Sequence, residues 1–181
     1  INFINEIVVA SIHSNQVVKK GRTLAGCRVV PLVIDKGKIE KVEQIAGLNY
    51  PVFEVKPLKS LKAGIVTTGS EVYHGRIKDR FGPVIRRKLE ELGNQVIRQI
   101  YANDDISMIS NAIKELIEEG AEIVLITGGM SVDPDDVSPA GIRAAGGEVV
   151  VYGAPVLPGS MFMLAYIDDI PILGLPGCVM Y

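Results

Sequence analysis

The residues richest in chemistry lie between Thr127 and Asp136. Thr127-Gly128-Gly129-Met130-Ser131 is followed, after Val132, by Asp133-Pro134-Asp135-Asp136, and Ser138-Pro139 then opens a predicted helix. Paired glycines let a backbone take unusual dihedrals and approach a ligand closely. The hydroxyls of Thr127 and Ser131, with the main-chain amides, can donate to phosphate oxygens, helped by a nearby helix start. The carboxylates suit a divalent cation or the polar groups of a ligand. A tight strand-to-helix turn with Asp136 as its cap explains one acid. It does not call for two glycines and three acids together.

Sister loops carry similar groups. Thr67-Thr68-Gly69-Ser70-Glu71 offers hydroxyls and a glycine directly after a predicted strand. Asn103-Asp104-Asp105, Leu157-Pro158-Gly159-Ser160 and Leu175-Pro176-Gly177-Cys178 complete the set. Asp104 has two readings. It is either a helix N-cap, or an acid facing the same crevice as Asp136. In the second case the two carboxylates hold Mg²⁺ or position a phosphoryl group. Asp79 reads as a helix cap, with a group supporting the ligand residues from behind as the alternative. His74 lies near the first loop without an acid partner in sequence, and His13 reads as a solvated turn residue. Cys178 reads as a buried, inert thiol, with a ligand-facing thiolate as the alternative. The Lys-Ser/Thr ending of a Walker A loop is missing, and there is no G-x-G-x-x-G. Nor is there a G-x-S-x-G elbow, so acyl transfer is unsupported.

The elements that must hold these loops follow from hydrophobic periodicity. Residues 63–68, 95–100 and 121–126 read as apolar strands, and 148–152 as a further one. Asp79 starts a helix whose Val84, Ile85, Leu89 and Leu92 share a face and which Gly93 stops. The segment 103–105 caps a second helix, with Ile106, Ile109, Ile113, Leu116 and Ile117 in one stripe, ended at Gly120. A short helix is predicted over 139–145. Residues 161–167 and 170–173 form a hairpin across Asp168-Asp169 and add an antiparallel element. Strands alternating with helices predict an α/β fold, its mostly parallel sheet covered on both faces. Ligands of such sheets bind outside the carboxyl ends of the strands.

Residues 1–60 read differently, as a small β-rich subdomain and linker. Strands are predicted over 6–12, 16–19, 24–34 and 39–45, with a hairpin-type turn at Asp35-Lys-Gly-Lys38 and no helix of good length. An extended stretch through Pro51 and Pro57 leads to the α/β domain, residues 61–181.

The whole chain of 181 residues has a net charge of −2 and is 48% apolar, so it can bury a real core. Without a basic excess or a Lys/Arg run, nucleic acid is not an expected partner. No apolar segment reaches membrane-spanning length, so no membrane partner is expected. Two distant cysteines, Cys27 and Cys178, have no metal-type spacing, which favours a reducing cytoplasm. A first residue of Ile1 and a last of Tyr181, just past a glycine loop, suggest a piece of a longer protein.

The order TTGSE, an Asp-capped helix ending in Gly, NDD, ITGGMSVDPDDVSP, LPGS and GLPG resembles the molybdopterin-binding domain family. That family includes enzymes that adenylylate molybdopterin and enzymes that insert molybdate into it. The resemblance covers residues 62–178. Its TTG-S-E turn and Leu-Pro-Gly pairs are similar to the insertase-like branch, as is PLVIDKG upstream. It implies a three-layer α/β/α fold with the dithiolene phosphate, or its AMP ester, in the crevice. Thr127, Gly128, Gly129, Met130 and Ser131 then match the pterin loop. Thr68, Gly69, Ser70 and Glu71 form the first ligand loop, and Pro158, Gly159 and Ser160 the proline-glycine loop. Asp136 and Asp104 match the functional acids and the Mg²⁺ ligands. ATP and molybdate are the further substrates implied, and a homo-oligomer, dimer or trimer, the implied assembly.

There are departures. TGGMS replaces TGGTG, Ser160-Met161 stands where a Lys is usual, and LPGCV replaces Leu-Pro-Gly-Asn-Pro. The reading is therefore a molybdenum cofactor biosynthesis protein, a molybdopterin binder that performs molybdate insertion or adenylyl transfer. A non-catalytic carrier or sensor module is the alternative, and a nucleotide pyrophosphatase of the ADP-ribose type a further one.

Overall fold

The computed structural model describes residues 1–131 and 136–180. They fall into two compact units, Ile1–Pro57 and Leu58–Tyr181.

In the first unit, β1 (Ile7–Ser11) pairs antiparallel with β2 (Ala25–Val29), Ile7 opposite Val29 and Ser11 opposite Ala25. A helix, α1 (Lys36–Leu48), follows. The strand expected over 39–45 is the middle of this helix, and residues 16–19 form no strand. The reason is visible in the burial. Ile39, Val42, Ile45 and Ala46 are half-buried while Lys41, Glu43 and Gln44 are exposed. That spacing is the helical period of three to four, not the alternation of a strand.

The second unit is built on six strands in the order β4-β3-β5-β8-β7-β6. These are β3 (Lys62–Thr68), β4 (Gln95–Ala102), β5 (Ile123–Thr127), β6 (Glu148–Tyr152), β7 (Met163–Ile167) and β8 (Ile170–Leu175). The pairs β3/β4, β3/β5 and β5/β8 are parallel, and β7 runs antiparallel to both its neighbours. Between the strands lie α2 (Ser70–Tyr73), α3 (Phe81–Glu91), α4 (Ile106–Glu118) and α5 (Ser138–Ala144). A 3-10 turn, Gly177–Met180, follows β8.

Alternation along the central strands makes two cores. Ala63, Ile65 and Leu125 pack with Ile85 and Leu89 of α3. On the opposite face Val66, Val124 and Ile126 pack with Ile109, Ile113 and Leu116 of α4 and Ile142 of α5. Successive strand side chains point to opposite faces, so one apolar strand serves both layers. Each fully buried Ile or Leu contributes about 1.5–3 kcal/mol relative to exposure. The mostly parallel α/β sheet expected from the sequence is thus present.

The helix starts are tied as their acids suggest. The Asp79 carboxylate accepts from the N–H groups of Phe81 and Gly82, 2.8 and 3.0 Å away by its Oδ1. At α4 the cap is Asp105, whose Oδ1 accepts from Met108 N–H at 2.8 Å. Capping therefore does not occupy Asp104. From β3 the chain crosses to β4 on one side, then to β5 on the other. The loops after β3 and β5 meet at this switch of direction, where open α/β sheets bind ligands.

Candidate functional site

Two buried hydroxyls join the loops after β3 and β5. Ser138, fully buried at the start of α5, donates to Gly128 O at 2.8 Å. Its Oγ lies 3.1 Å from Thr68 Oγ1 at the end of β3. A hydroxyl has one proton. With Ser138's committed to Gly128, Thr68 is the donor in the second bond. Gly128 and Gly129 both have positive φ, 90° and 53°. A side chain on Gly128 would collide with the Thr68 main chain, and one on Gly129 would lie 2.9 Å from Ser138 Oγ. Paired glycines are therefore required by close approach as well as by backbone angle. Sequence reasoning put Ser138 only at a helix start. Its signal was the serine beside Pro139 at the first helical position, a residue type that reaches back to local backbone.

The two acids hold backbone. Asp136 Oδ2 accepts from Ser131 N–H at 2.6 Å and closes the loop after β5. Asp104 Oδ2 accepts from Ser70 N–H at 2.8 Å and ties the loop after β4 to the first residue of α2. Among the described residues each carboxylate's other oxygen makes no hydrogen bond, leaving it available to a cation or a donor. No group of three or more His, Cys, Asp or Glu side chains placed for a metal occurs among the described residues. Asp133 and Asp135 lie outside them. Two buried side-chain oxygens, Thr127 Oγ1 and Asn103 Oδ1, have no hydrogen-bond partner among the described residues. They sit at the carboxyl ends of β5 and β4. An unpaired buried polar group costs about 1–3 kcal/mol, which a polar ligand can relieve. Hydroxyls, main-chain amides and two half-engaged carboxylates fit an anionic, oxygen-rich ligand accompanied by a cation.

Beside this cradle runs a second polar network. Gln99 Nε2 donates to Thr67 Oγ1 at 2.9 Å and to Asp79 Oδ2 at 2.7 Å, and Tyr101 OH donates to the same oxygen at 3.3 Å. Partial burial, then the negative charge of Asp79, hold the Tyr101 phenol above its ordinary pKa, so it stays a neutral donor. A cleft of about 270 Å³ opens there, lined by Val72, Tyr73, Ile77, Asp79 and Tyr101.

Other expected residues sit apart from the clasp. Glu71 is exposed, and its carbonyl accepts from Arg76 and Ile77 N–H. Gly69 N–H donates to Ala102 O at 3.2 Å, linking the ends of β3 and β4. The Met130 side chain is buried in the core with Met163, so only its main chain is open to a ligand. Pro158, Gly159 and Ser160 lie in the β6–β7 connection. That loop is held by its own bonds, Ala154 N–H to Ser160 O and Phe162 N–H to Gly159 O. Among the described residues it makes no hydrogen bond to the loops after β3, β4 or β5. Cys178 is half-buried in the 3-10 turn.

Residues 64–181 match the family model described as "Probable molybdopterin binding domain". The chain belongs to this molybdopterin-binding domain family. The chain is 32% identical over 154 residues to a molybdopterin molybdenumtransferase from Staphylococcus aureus (strain COL), covering 81% of this chain and 36% of that protein. It thus spans about a third of the length of such relatives. It is 36% identical over 93 residues to a CinA-like protein from Mycobacterium sp. (strain MCS), covering 51% of this chain and 22% of that one. The molybdopterin biosynthesis enzyme MoaB from Thermus thermophilus superposes with a TM-score of 0.56 at 22% identity, over 65% of this chain and 81% of that one. At that identity the likeness speaks for the fold. This molybdopterin-binding domain has no helix, among its described residues, long and apolar enough to cross a membrane.

Proposed function

We propose that the second unit binds molybdopterin or its AMP ester through the phosphate, in the cradle formed by the loops after β3, β4 and β5. The observation that carries this is the Thr68–Ser138–Gly128 clasp, which presses two ligand-type loops together at the sheet's switch point. Amides of 128–130 and of Glu71, with the Thr127 hydroxyl, would take the phosphate oxygens, while the Ser131, Ser70 and Gly69 amides hold the loops in place. Asp136 and Asp104 would offer their unbonded oxygens to Mg²⁺, which neutralises charge on the phosphoryl group. The chemistry is then positioning and charge neutralisation. The molybdenumtransferase among the relatives supports molybdate insertion, with release of AMP, as the reaction of the whole protein, and a cytoplasmic setting goes with it. The substitution of Ser160-Met161 for a basic residue supports a cradle that relies on main-chain donors and the cation.

The test is calorimetric titration of the protein with molybdopterin, with and without Mg²⁺, for wild type and Asp136→Ala. Wild type is expected to bind more tightly with Mg²⁺. Asp136→Ala removes a charged acceptor from Ser131 N–H, an interaction of about 1.5–3 kcal/mol, and should weaken binding about 10- to 100-fold. Well-folded wild type that fails to bind refutes the pterin reading. Binding that is indifferent to Asp136→Ala moves the ligand off this loop.

A further inference from the structure

We propose that the cleft between α2 and β4 is a ring-stacking subsite, where Tyr101 and Tyr73 take a planar nitrogen heteroaromatic ring borne by the same ligand whose phosphate the cradle holds. The inference rests on the phosphate reading above and adds to it the residues that select the ring. Val72 and Tyr73 of α2, Ile77 and Asp79 of the segment after it, and Tyr101 of β4 line the cleft, about 270 Å³ in volume. Pockets that take a whole drug-sized ligand run about 300–1,000 Å³. This one suits a single ring system, with the rest of the ligand outside. Tyr73 and Tyr101 are 42% and 44% exposed, so their faces are open for a ring to cover. Both are held ready. Tyr101 OH donates to Asp79 Oδ2 at 3.3 Å, and His74 packs edge-on against Tyr73 with ring centroids 5.2 Å apart. A side chain already fixed loses little freedom on binding.

Asp79 is not the recognition group. Its Oδ1 accepts from Phe81 and Gly82 N–H, and its Oδ2 from Gln99 Nε2 and Tyr101 OH. A carboxylate has about four lone-pair sites, and these are taken. A side chain on Gly82 would collide with both Asp79 and Gln99, so glycine is what lets this network close. The cleft is left with the chemistry of aromatic faces rather than that of a cation site. Its rim is positive. Arg76, Lys78 and Arg80 are exposed and in no ion pair among the described residues. Arg86 of α3 lies near enough for its charge to act on the Tyr101 phenol. Cations around two aromatic faces suit a ring that carries a phosphate. The cleft also adjoins the cradle. Ser70, tied to Asp104, opens α2 and Tyr73 closes it, about 4.5 Å along the axis. Arg76 and Ile77 N–H donate to Glu71 O at 2.8 and 3.3 Å, which folds the rim back onto the first loop. Tyr101 is in register with Thr67 at the end of β3. One ligand can therefore set its phosphate at the loops and its ring in the cleft. The pterin and the adenine of the AMP ester both meet this description.

The test is NMR of the full chain with labelled amides and ring-labelled tyrosines, titrated in Mg²⁺ with molybdopterin, with AMP and with ribose 5-phosphate. Each probe carries a phosphate and should move the amides of 128–130. Molybdopterin, AMP or both should shift the Tyr73 and Tyr101 rings upfield and leave Tyr50, Tyr152 and Tyr166 unmoved. Ribose 5-phosphate, which has no such ring, should leave all of them unmoved. The probe that moves the rings identifies the occupant as pterin or adenine. Tyr101→Leu should weaken binding of that probe about tenfold and leave ribose 5-phosphate unchanged. Tyr101→Phe keeps the ring without its hydroxyl and should bind within about twofold of wild type. Amides that respond while neither ring does overturn this inference and leave the phosphate reading standing. Rings that respond while the amides do not refute a shared ligand. Silence of both with every probe refutes both readings. A Tyr101→Leu variant that loses ribose 5-phosphate as much as the ring-bearing probe shows a merely structural tyrosine, and overturns the inference as well.

Discussion

Thr68 shows what a single hydroxyl can decide. It is 4% exposed and has one buried acceptor to serve, Ser138 Oγ. Thr68→Val keeps the shape and removes the donor. Ser138 still donates to Gly128 O, but its own oxygen is left unpaired in the interior. The expected cost is about 1–3 kcal/mol, read from the denaturant midpoint. Because the bond joins two loops, molybdopterin affinity should fall in the same variant. Ser138→Ala in the Thr68→Val background should cost much less than Ser138→Ala alone, since the pair acts as a unit. Full additivity of the two changes would mean that the hydroxyls do not cooperate. At this scale the sequence showed where the loops bearing glycines, hydroxyls and acids lie, because paired glycines and clustered acids carry local signatures. It hid the contact between Thr68 and Ser138, which are far apart in the chain and meet only when β3 and β5 pair.

At the scale of elements, β8 props the loop after β5 from below. Met130 turns into the core, where its Sδ would lie 2.9 Å from a side chain placed on Gly174. Gly174 pairs with Ile126 in β5 and Met163 in β7, so the sheet cannot move aside. Gly174→Ala is expected to push the end of the Met130 side chain and to crowd Met163 Cβ, at about 1–3 kcal/mol of stability. Met130→Ala in the same chain makes room, so it should cost less stability in the Gly174→Ala background than in wild type, as thermal melts of the four proteins would reveal. Equal costs in the two backgrounds would show that Met130 is not what Gly174 accommodates.

Strands and helices of the second unit were legible because their apolar residues repeat cleanly and their ends carry Asp and Gly. Among the acids of 103–105, residue type alone could not separate the cap from its neighbour. Asp105 took the helix start and Asp104 the Ser70 amide. α1 was hidden for a different reason. Its Ile39, Val42 and Ile45 repeat every third residue, but Asp35-Lys-Gly-Lys38 imitates a hairpin turn, and the β-branched run before it suggested a returning strand.

Across the whole molecule, the two units differ in how much core they own. Of the buried hydrophobic residues, Ile7 is the sole member from the first unit. Phe3, Leu32, Val33, Leu48 and Tyr50 of that unit are largely exposed, whereas the second unit holds both hydrophobic clusters. Hydrophobic burial is the main favourable term in folding, and a unit of this size is marginal even with a good core. Stability must therefore reside in the second unit. A fragment of residues 58–181 is expected to unfold in a single cooperative urea transition, with a midpoint close to that of the main transition of the full chain. A fragment of residues 1–57 should show no cooperative transition and should bind a dye specific for exposed apolar surface. The same reasoning locates a change in the full chain. Ile113→Ala, in the larger core, should lower the midpoint by the equivalent of about 2–5 kcal/mol. Ile45→Ala in α1, where the side chain is only half-buried, should hardly move it. A large loss from Ile45→Ala would mean that the first unit unfolds in the same cooperative transition as the second.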